Sequence, residues 1–399
     1  MLESQIDNFH RLEGVFHEIY GLPSSNWVFA PGRINLIGEH IDYCGGWVLP
    51  ATIHLGTYCL VSVNDSDRIR LASTLFDDKI VLNLGRPFEQ SADGWSNYPK
   101  GVLAAYRARG AHVHGMDVLY GSTIPGGGLS SSASFCVATA LLIESVTGFR
   151  LHGHDHIDRQ QMALLCQRVE NEYVGVNCGI MDQAAIALGQ ADTAIKLDCE
   201  SLQYELIDCT PSPLQFVIMN TCKERRLIDS KYNERVTEME TIVSRLGDGR
   251  KISQLCELQM PDLDWVETIV DDELLFKRAR HVIGENQRVL TACSMLQEKN
   301  WKRLGELMNE SHRSLSKDYE VSGEELDTLV SLSLEQEGVL GARMTGAGFG
   351  GCAITLIHQD AAEEHSARVG ESYRQRIGYA AEFYPVAIGP GASECTSYK

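Results

Sequence analysis

Short runs in which apolar and polar positions alternate dominate the first half of the chain. WVFA (27–30), GTYCLVSV (56–63), RIRLAST (68–74) and MDVLYGST (116–123) read as strands, because such runs rich in Val, Ile, Tyr and Thr fit a half-buried pleated surface. The turn-rich Asn64-Asp65-Ser66-Asp67 predicts that 56–63 and 68–74 pair as a hairpin. An apolar, alanine-containing stretch from Ser131 to about Val146 predicts a buried helix, and Asp155 reads as the N-cap of a second helix running to about Val174. AIKLD (194–198) and LQFVIMNT (214–221) read as further strands. Helical spacing then takes over at 229–246, with Gly247 behind it, and at 272–298, 300–315 and 323–336. Strands GCAITLI (351–357) and AEFYPVAI (381–388) flank a last helix at about 360–376. A strand-rich half followed by helices mixed with strands predicts an α+β fold of two domains, 1–205 and 206–399, meeting near 200–213.

Charge narrows the candidate functions. The 399 residues carry 35 Lys and Arg against 54 Asp and Glu, a formal charge of −19. Such a chain repels phosphate backbones and anionic lipid, so the expectation is no nucleic acid and no membrane. No apolar run approaches the roughly 20 residues of a membrane helix, and MLESQIDNFH lacks the basic start and apolar stretch of a secretory signal. The 12 cysteines stand singly from Cys44 to Cys395 with no C-x-x-C pair, which predicts reduced thiols in a cytoplasmic protein. His152, His154 and His156 alternate in a stretch containing Gly and Asp, the mark of a solvated turn more than of a metal site.

Three glycine-bearing segments carry the candidate chemistry. Gly126-Gly127-Gly128, followed by Leu129, Ser130-Ser131-Ser132, Ala133 and Ser134, stands just before the helix expected from Ser131. Glycines let a backbone approach a ligand closely, and a helix start offers unpaired N–H groups to phosphate. A plain turn ahead of a serine-capped helix accounts for the same residues. Gly346-Ala347-Gly348-Phe349-Gly350-Gly351 matches G-x-G-x-x-G formally, but a strand follows it where a dinucleotide site needs a helix. A tight bend that lets two segments, or a backbone and a ligand, pack closely fits better. The segment from Pro31 to Tyr43 gathers Arg33, Glu39, His40 and Asp42 around glycines, either as a polar pocket for sugar hydroxyls and phosphate or as a surface loop. Asp182, in the apolar stretch CGIMDQ (178–183), reads as a cap or a functional carboxylate, since an unpaired buried charge is costly.

Several of these segments, in this order, resemble a known family. GRINLIGEHIDYCGG (32–46) resembles the galactokinase signature, GGGLSSSAS (126–134) the phosphate motif of the GHMP kinase superfamily, and GARMTGAGFGGCAI (341–354) its third motif. CGIMDQ (178–183), RRLIDSKYNER (225–235), SHRSLSKDYEVS (311–322) and FYPVAIGPGA (383–392) resemble galactokinase segments too, so the similarity runs from about Tyr20 to Ala392. The resemblance implies a two-domain GHMP kinase fold, with an N-terminal domain like ribosomal protein S5 and a C-terminal ferredoxin-like domain. It implies ATP-dependent phosphorylation of the anomeric hydroxyl of α-D-galactose to galactose 1-phosphate and ADP, the first committed step of galactose use by the Leloir pathway.

By the same resemblance, Glu39, His40, Asp42, Gly179 and Tyr232 bind the sugar, Asp182 is the catalytic aspartate, and Arg33 is the arginine beside it. Gly126 to Ser134 hold the ATP phosphates, and Ser132 and Glu170 bind Mg2+. Asp182 either accepts the hydroxyl's proton or orients the hydroxyl while the proton leaves late. Ile41 and Cys44 stand where the signature usually has threonine and asparagine, a variant similar to N-acetylgalactosamine kinases, and the phosphate loop is one residue shorter than the common form between Pro125 and Leu129. Galactose and ATP are therefore the expected partners, acting on a monomer. The alternatives are a sugar 1-kinase for N-acetylgalactosamine or L-arabinose, and a galactose and ATP sensor without catalysis.

Overall fold

The computed structural model describes residues 3–91, 94–153, 156–223, 228–247 and 250–395. The chain opens with helix α1 (Glu3–Tyr20) and strands β1 (Asn26–Asn35), β2 (Trp47–Val48), β3 (Pro50–Val63), β4 (Arg68–Ser73) and β5 (Ile80–Asn83). There follow α2 (Asn97–Ala108), β6 (Met116–Ser122), α3 (Ser131–Thr147), α4 (Arg159–Arg168), α5 (Met181–Leu188), β7 (Thr193–Asp198), β8 (Tyr204–Asp208) and β9 (Leu214–Asn220). Helices α6 (Ile228–Gly247), α7 (Leu263–Val270), α8 (Glu273–Gln297), α9 (Trp301–Ser314) and α10 (Glu324–Leu334) come next. The chain closes with β10 (Val339–Thr345), β11 (Cys352–His358), α11 (Ala362–Ile377), β12 (Glu382–Val386) and β13 (Ser393–Cys395).

The strands form a six-stranded sheet of order β13-β1-β3-β6-β4-β5, a four-stranded sheet β10-β11-β9-β12 and a three-stranded sheet β2-β7-β8. Helix α3 is apolar all round, is buried from Ala133 through Glu144, and packs on β1 and β3. A helix without a polar face has to sit inside the fold. The α+β class and most expected elements are present, with the expected 323–336 helix confined to Glu324–Leu334.

Two expectations are corrected. The strands at 56–63 and 68–74 do not pair with each other, because β6 lies between them, antiparallel to β3 and parallel to β4. The turn signal reports only that the chain reverses. β6 is buried on both faces for nearly its whole length, so it needs a neighbour on each side. Asp117 on β6 accepts both Nε and Nη2 of Arg70 on β4, at 2.5 and 2.6 Å, and this pair, buried on the Asp117 side and exposed on the Arg70 side, links the inserted strand to β4. Second, the N-cap of α4 is Asp158, whose Oδ1 accepts from the Gln161 amide at 3.1 Å. Asp155, expected in that role, and His154 lie outside the described residues. The helix runs on from α4 as a wider turn at Val169–Val174.

Helices α1, α2, α5 and α7 and strands β2, β5, β8, β10 and β13 have no counterpart among the expected elements. Pro99 and Gly101 disguise α2, although the proline sits in the first turn, where its missing N–H costs nothing. A Cβ at Gly101 would lie 2.5 Å from Val169, so the glycine is there for helix packing. β8 runs across residue 205, and β13 returns to pair with β1. All twelve cysteines are free thiols, and no helix among the described residues is long and apolar enough to cross a membrane.

Candidate active site

A cleft with about 180 Å³ of enclosed space gathers residues from both halves of the chain. Arg33, Glu39, His40, Asp42, Gly127, Gly128, Ser130, Ser131, Ser132, Glu170, Gly179, Asp182 and Tyr232 line it, together with Gly346 and Ala347. Gly126, Leu129, Ala133 and Ser134 do not. Leu129 and Ala133 are core residues, and the Ser134 hydroxyl is tied to Ala30 O and Thr57 Oγ1, each at 2.8 Å.

Local backbone devices place the reacting groups. β1 slips register between Pro31 and Arg33, and such bulges re-aim side chains beside active sites. The slip lets the Arg33 amide donate to Leu129 O at 3.1 Å, and a Cβ at Gly32 would come within 2.9 Å of that same oxygen. Arg33, 3% exposed, then donates from Nη1 to Gly128 O at 2.6 Å and from Nε to Asp182 Oδ1 at 2.8 Å. Ser130 sits in the left-handed region at φ 64, and its hydroxyl donates to Asp182 Oδ2. Asp182 lies in the first turn of α5, where the helix dipole favours negative charge. Both carboxylate oxygens are thus oriented from opposite sides.

Four carboxyls, Glu39, Asp42, Glu170 and Asp182, face the cleft, and among the described residues Arg33 is the one Lys or Arg lining it. Glu39 Oε2 lies 3.0 Å from Arg343 Nη2, and both side chains are buried. Burial raises the Glu39 carboxyl above the usual range, against the pull of Arg343. Asp42 is pushed up to about 7, by burial first and then by the Asp182 charge. A Cβ at Gly179 would fall 2.2 Å from Asp42 Oδ2, so only glycine fits there. Glu170 also rises to about 7 through burial, while accepting from Gln183 Nε2 at 2.7 Å and from the Ser132 hydroxyl.

His40 has φ 64 and both ring nitrogens engaged. Nε2 donates to Ala347 O at 3.1 Å, so Nδ1 accepts from Tyr43 Oη at 2.9 Å, and Tyr43 in turn accepts from Tyr319 at 2.9 Å. Burial holds this imidazole down at about 3, hence neutral. The Tyr232 ring stands 5.6 Å from the His40 ring.

The glycine run at 346–351 joins antiparallel β10 and β11 and opens no helix. Gly346, at φ +83, presses on Gly128: a Cβ there would meet Gly128 O at 2.6 Å. The third motif therefore packs backbone to backbone against the phosphate loop. Arg343, Tyr43 and Gln183 went unassigned in the sequence reading, although Arg343 stands inside GARMTG and was quoted there. Ile41 and Cys44 are buried and do not line the cleft, so the variant signature changes its support and not its surface.

The comparisons with known proteins agree along the chain. The galactokinase galactose-binding signature matches residues 14–63, the GHMP kinases N terminal domain 97–190, and the GHMP kinases C terminal domain 294–375. A galactokinase of Exiguobacterium sibiricum is 45% identical, with 96% of this chain and 97% of that protein covered. One from Clostridium tetani is 42% identical, covering 97% of this chain and 98% of its own. The crystal structure of Lactococcus lactis galactokinase complexed with galactose superposes at TM-score 0.92 and 40% identity, over 97% of this chain and 100% of that one. Methanococcus jannaschii mevalonate kinase, at TM-score 0.62 and 20% identity over 92% of this chain and 98% of its own, shares the fold.

Proposed function

Because this chain belongs to the galactokinase family, we propose that its cleft transfers the γ-phosphoryl group of ATP to the anomeric hydroxyl of α-D-galactose, releasing galactose 1-phosphate and ADP. The observation that carries the reading is Asp182, clamped by Arg33 on one oxygen and Ser130 on the other, at the point where the sugar signature meets the phosphate loop. Loose phosphoryl-transfer transition states demand alignment and charge cancellation more than covalent help. Asp182 takes the proton of the hydroxyl as its oxygen bonds to phosphorus and the bond to the ADP oxygen breaks. Arg33 balances the aspartate and faces the transferred group. Glu39, Asp42 and Tyr232 bind sugar hydroxyls, Gly179 makes room for the Asp42 carboxylate, and His40, its nitrogens already committed, shapes the pocket with its ring. The N–H groups of Gly127, Gly128 and Ser130 through Ser132, leading into the start of α3, face the ATP phosphates.

The residues also fit a magnesium ion. Ser132 and Glu170 offer hard oxygen donors, and Glu170 is a carboxyl that burial raises to about 7, beside the charge of Asp182. When bound with ATP, the ion would neutralise phosphate charge in a cleft that already holds four carboxyls. Glu170→Gln and Ser132→Ala should each raise the magnesium concentration for half-maximal turnover, by roughly tenfold, with galactose KM unchanged. Tight binding of ATP in excess EDTA would contradict this assignment.

Galactose binding should release protons below pH 7. Asp42 titrates near 7 when folded, far above an unperturbed aspartate, so between about 4 and 7 the free protein holds a proton there. Sugar hydroxyls that donate to the ionised carboxylate favour its charged form, so affinity rises with pH through that window. Calorimetric titration at pH 6 in two buffers of different ionisation enthalpy reads the protons directly, and uptake instead of release would refute it.

The activity itself is tested by ADP release over a panel of galactose, N-acetylgalactosamine and L-arabinose, with turnover on galactose the expected result and its absence fatal to the reading. Intact Ser130 to Ser134, Arg33 and Asp182 weigh against a sensor without catalysis. We also place the domain division after β8, near 209–213, which keeps each sheet's consecutive strands together, with β13 returning to the first. Twelve free thiols support a cytoplasmic setting.

A further inference from the structure

Helix α8 lies against the back of the sugar-signature loop, and two buried ionisable side chains on that face, His281 and Glu285, take no part in the chemistry above. They sit one turn apart and are both 0% exposed, and neither lines the cleft. Glu285 Oε1 accepts from the Gly38 amide at 2.9 Å. The same oxygen accepts from the Ser311 hydroxyl at 2.6 Å, while Oε2 accepts from Arg288 Nε at 2.7 Å. His281 Nε2 donates to Glu39 O at 3.1 Å, so Nδ1 accepts; it faces the Ser314 hydroxyl at 3.0 Å, which lies equally 3.0 Å from Asp318 Oδ2.

These bonds fall on both sides of Glu39. The amide of the residue before it and its own carbonyl are each held by one helix, which is itself rigid through the core. The flanking residues, Gly38 at φ 102 and His40 at φ 64, occupy the left-handed region. A non-glycine residue there persists only where its surroundings over-determine it. There is also no room for the loop to relax: a Cβ at Gly38 would lie 2.9 Å from Val289 of α8. Buried backbone groups need partners, and among the described residues the partner of the Glu39 carbonyl is His281.

We propose that His281 and Glu285 are positioning residues for galactose: from α8 they fix the Gly38–His40 backbone, and so the direction of the Glu39 carboxylate, without touching the sugar. This rests on Glu39 being a sugar ligand. A carboxylate on a loop free to shift still folds beside Arg343 but no longer meets its hydroxyl at hydrogen-bond distance. Such a loss weakens galactose in the ground state and the transition state alike, which shows in KM and leaves kcat nearly unchanged.

The test is kinetics and calorimetry on the full chain. His281→Leu should raise galactose KM and Kd about tenfold, the scale of one buried hydrogen bond, with ATP KM within about twofold. His281→Gln, which returns an amide N–H near the Nε2 position, should restore most of that loss. Ser314→Ala, which removes the hydroxyl that His281 Nδ1 shares with Asp318 Oδ2, should give a smaller rise of about threefold and serves if His281→Leu fails to fold. The inference is overturned if galactose Kd is unchanged in His281→Leu, or in Ser314→Ala where His281→Leu does not fold. It is equally overturned if galactose and ATP constants rise together, as a general loosening of the fold would produce. Glu39→Gln separates the two levels. If that change leaves galactose binding intact, the sugar-site reading fails. If it weakens binding while the α8 variants do not, only the positioning role fails.

Discussion

Asp182→Asn should lose at least a hundredfold in turnover while keeping its fold and its affinity for galactose. Proton transfer by a placed side chain contributes about 10²–10⁴-fold, and an amide cannot accept the proton. Asparagine is the better probe than alanine, because Arg33 is buried at 3% exposure and donates to Asp182 Oδ1 at 2.8 Å. The amide oxygen of the substituted side chain would keep that partner, and the Ser130 hydroxyl can turn to accept from the new NH₂ group. Asp182→Ala should lose turnover as completely but also strand a buried guanidinium, a change that typically costs about 3–5 kcal/mol of stability. Steady-state ADP release beside a melting curve separates these effects. Retention of more than about a tenth of parent turnover by both variants, a loss below even the low end of a general-base contribution, would remove Asp182 from its role. Retention by asparagine alone would leave it as an orienting group.

Gly346→Ala should cut kcat/KM for ATP by about a hundredfold and leave galactose binding within a few-fold. Two costs add at this position. Its φ of +83 lies where an L side chain is strained by about 1–2 kcal/mol, and overpacking a tight contact adds about 1–3 kcal/mol. The contact is backbone, at 2.7 Å from Gly128 Cα and 2.6 Å from Gly128 O, so no side chain can swing away. Something must move, and Gly128 O is also the acceptor of Arg33 Nη1 at 2.6 Å. The methyl group therefore displaces the phosphate loop and its arginine together. Unchanged ATP kinetics in a folded Gly346→Ala would show that the third motif only braces the fold.

Much of the site was legible because motif chemistry is local. Glycines mark where backbone comes close, serines before an apolar helix mark its start, and Arg33, Glu39, His40 and Asp42 fall within ten positions of one another. Each expectation used only the residue and its near neighbours. The sequence reading failed where pairing was decided elsewhere. A turn between 63 and 68 says nothing of β6, which arrives some fifty residues later and separates the strands on either side. Asp155 was read as the cap, and only the observed helix start puts Asp158 there. Nor could the sequence show that Ala347, from the far end of the chain, would meet the ring of His40.

What the order of residues determined by itself was the α+β class, most of the elements, the unpaired cysteines, the −19 charge, and the three glycine motifs with their carboxylates. Those follow from periodicity, composition and short-range chemistry. Tertiary structure alone decided that Gly346 lies on Gly128, that Ser130 and Arg33 share the two oxygens of Asp182, that Arg343 pairs with Glu39, and that α8 holds the loop between them. These contacts join segments far apart in the chain, and their partners are chosen by which faces must be buried together. That choice also resolves the charge: an acidic chain concentrates one buried arginine and the open end of α3 where ATP phosphates are expected, so local geometry overrules the general field.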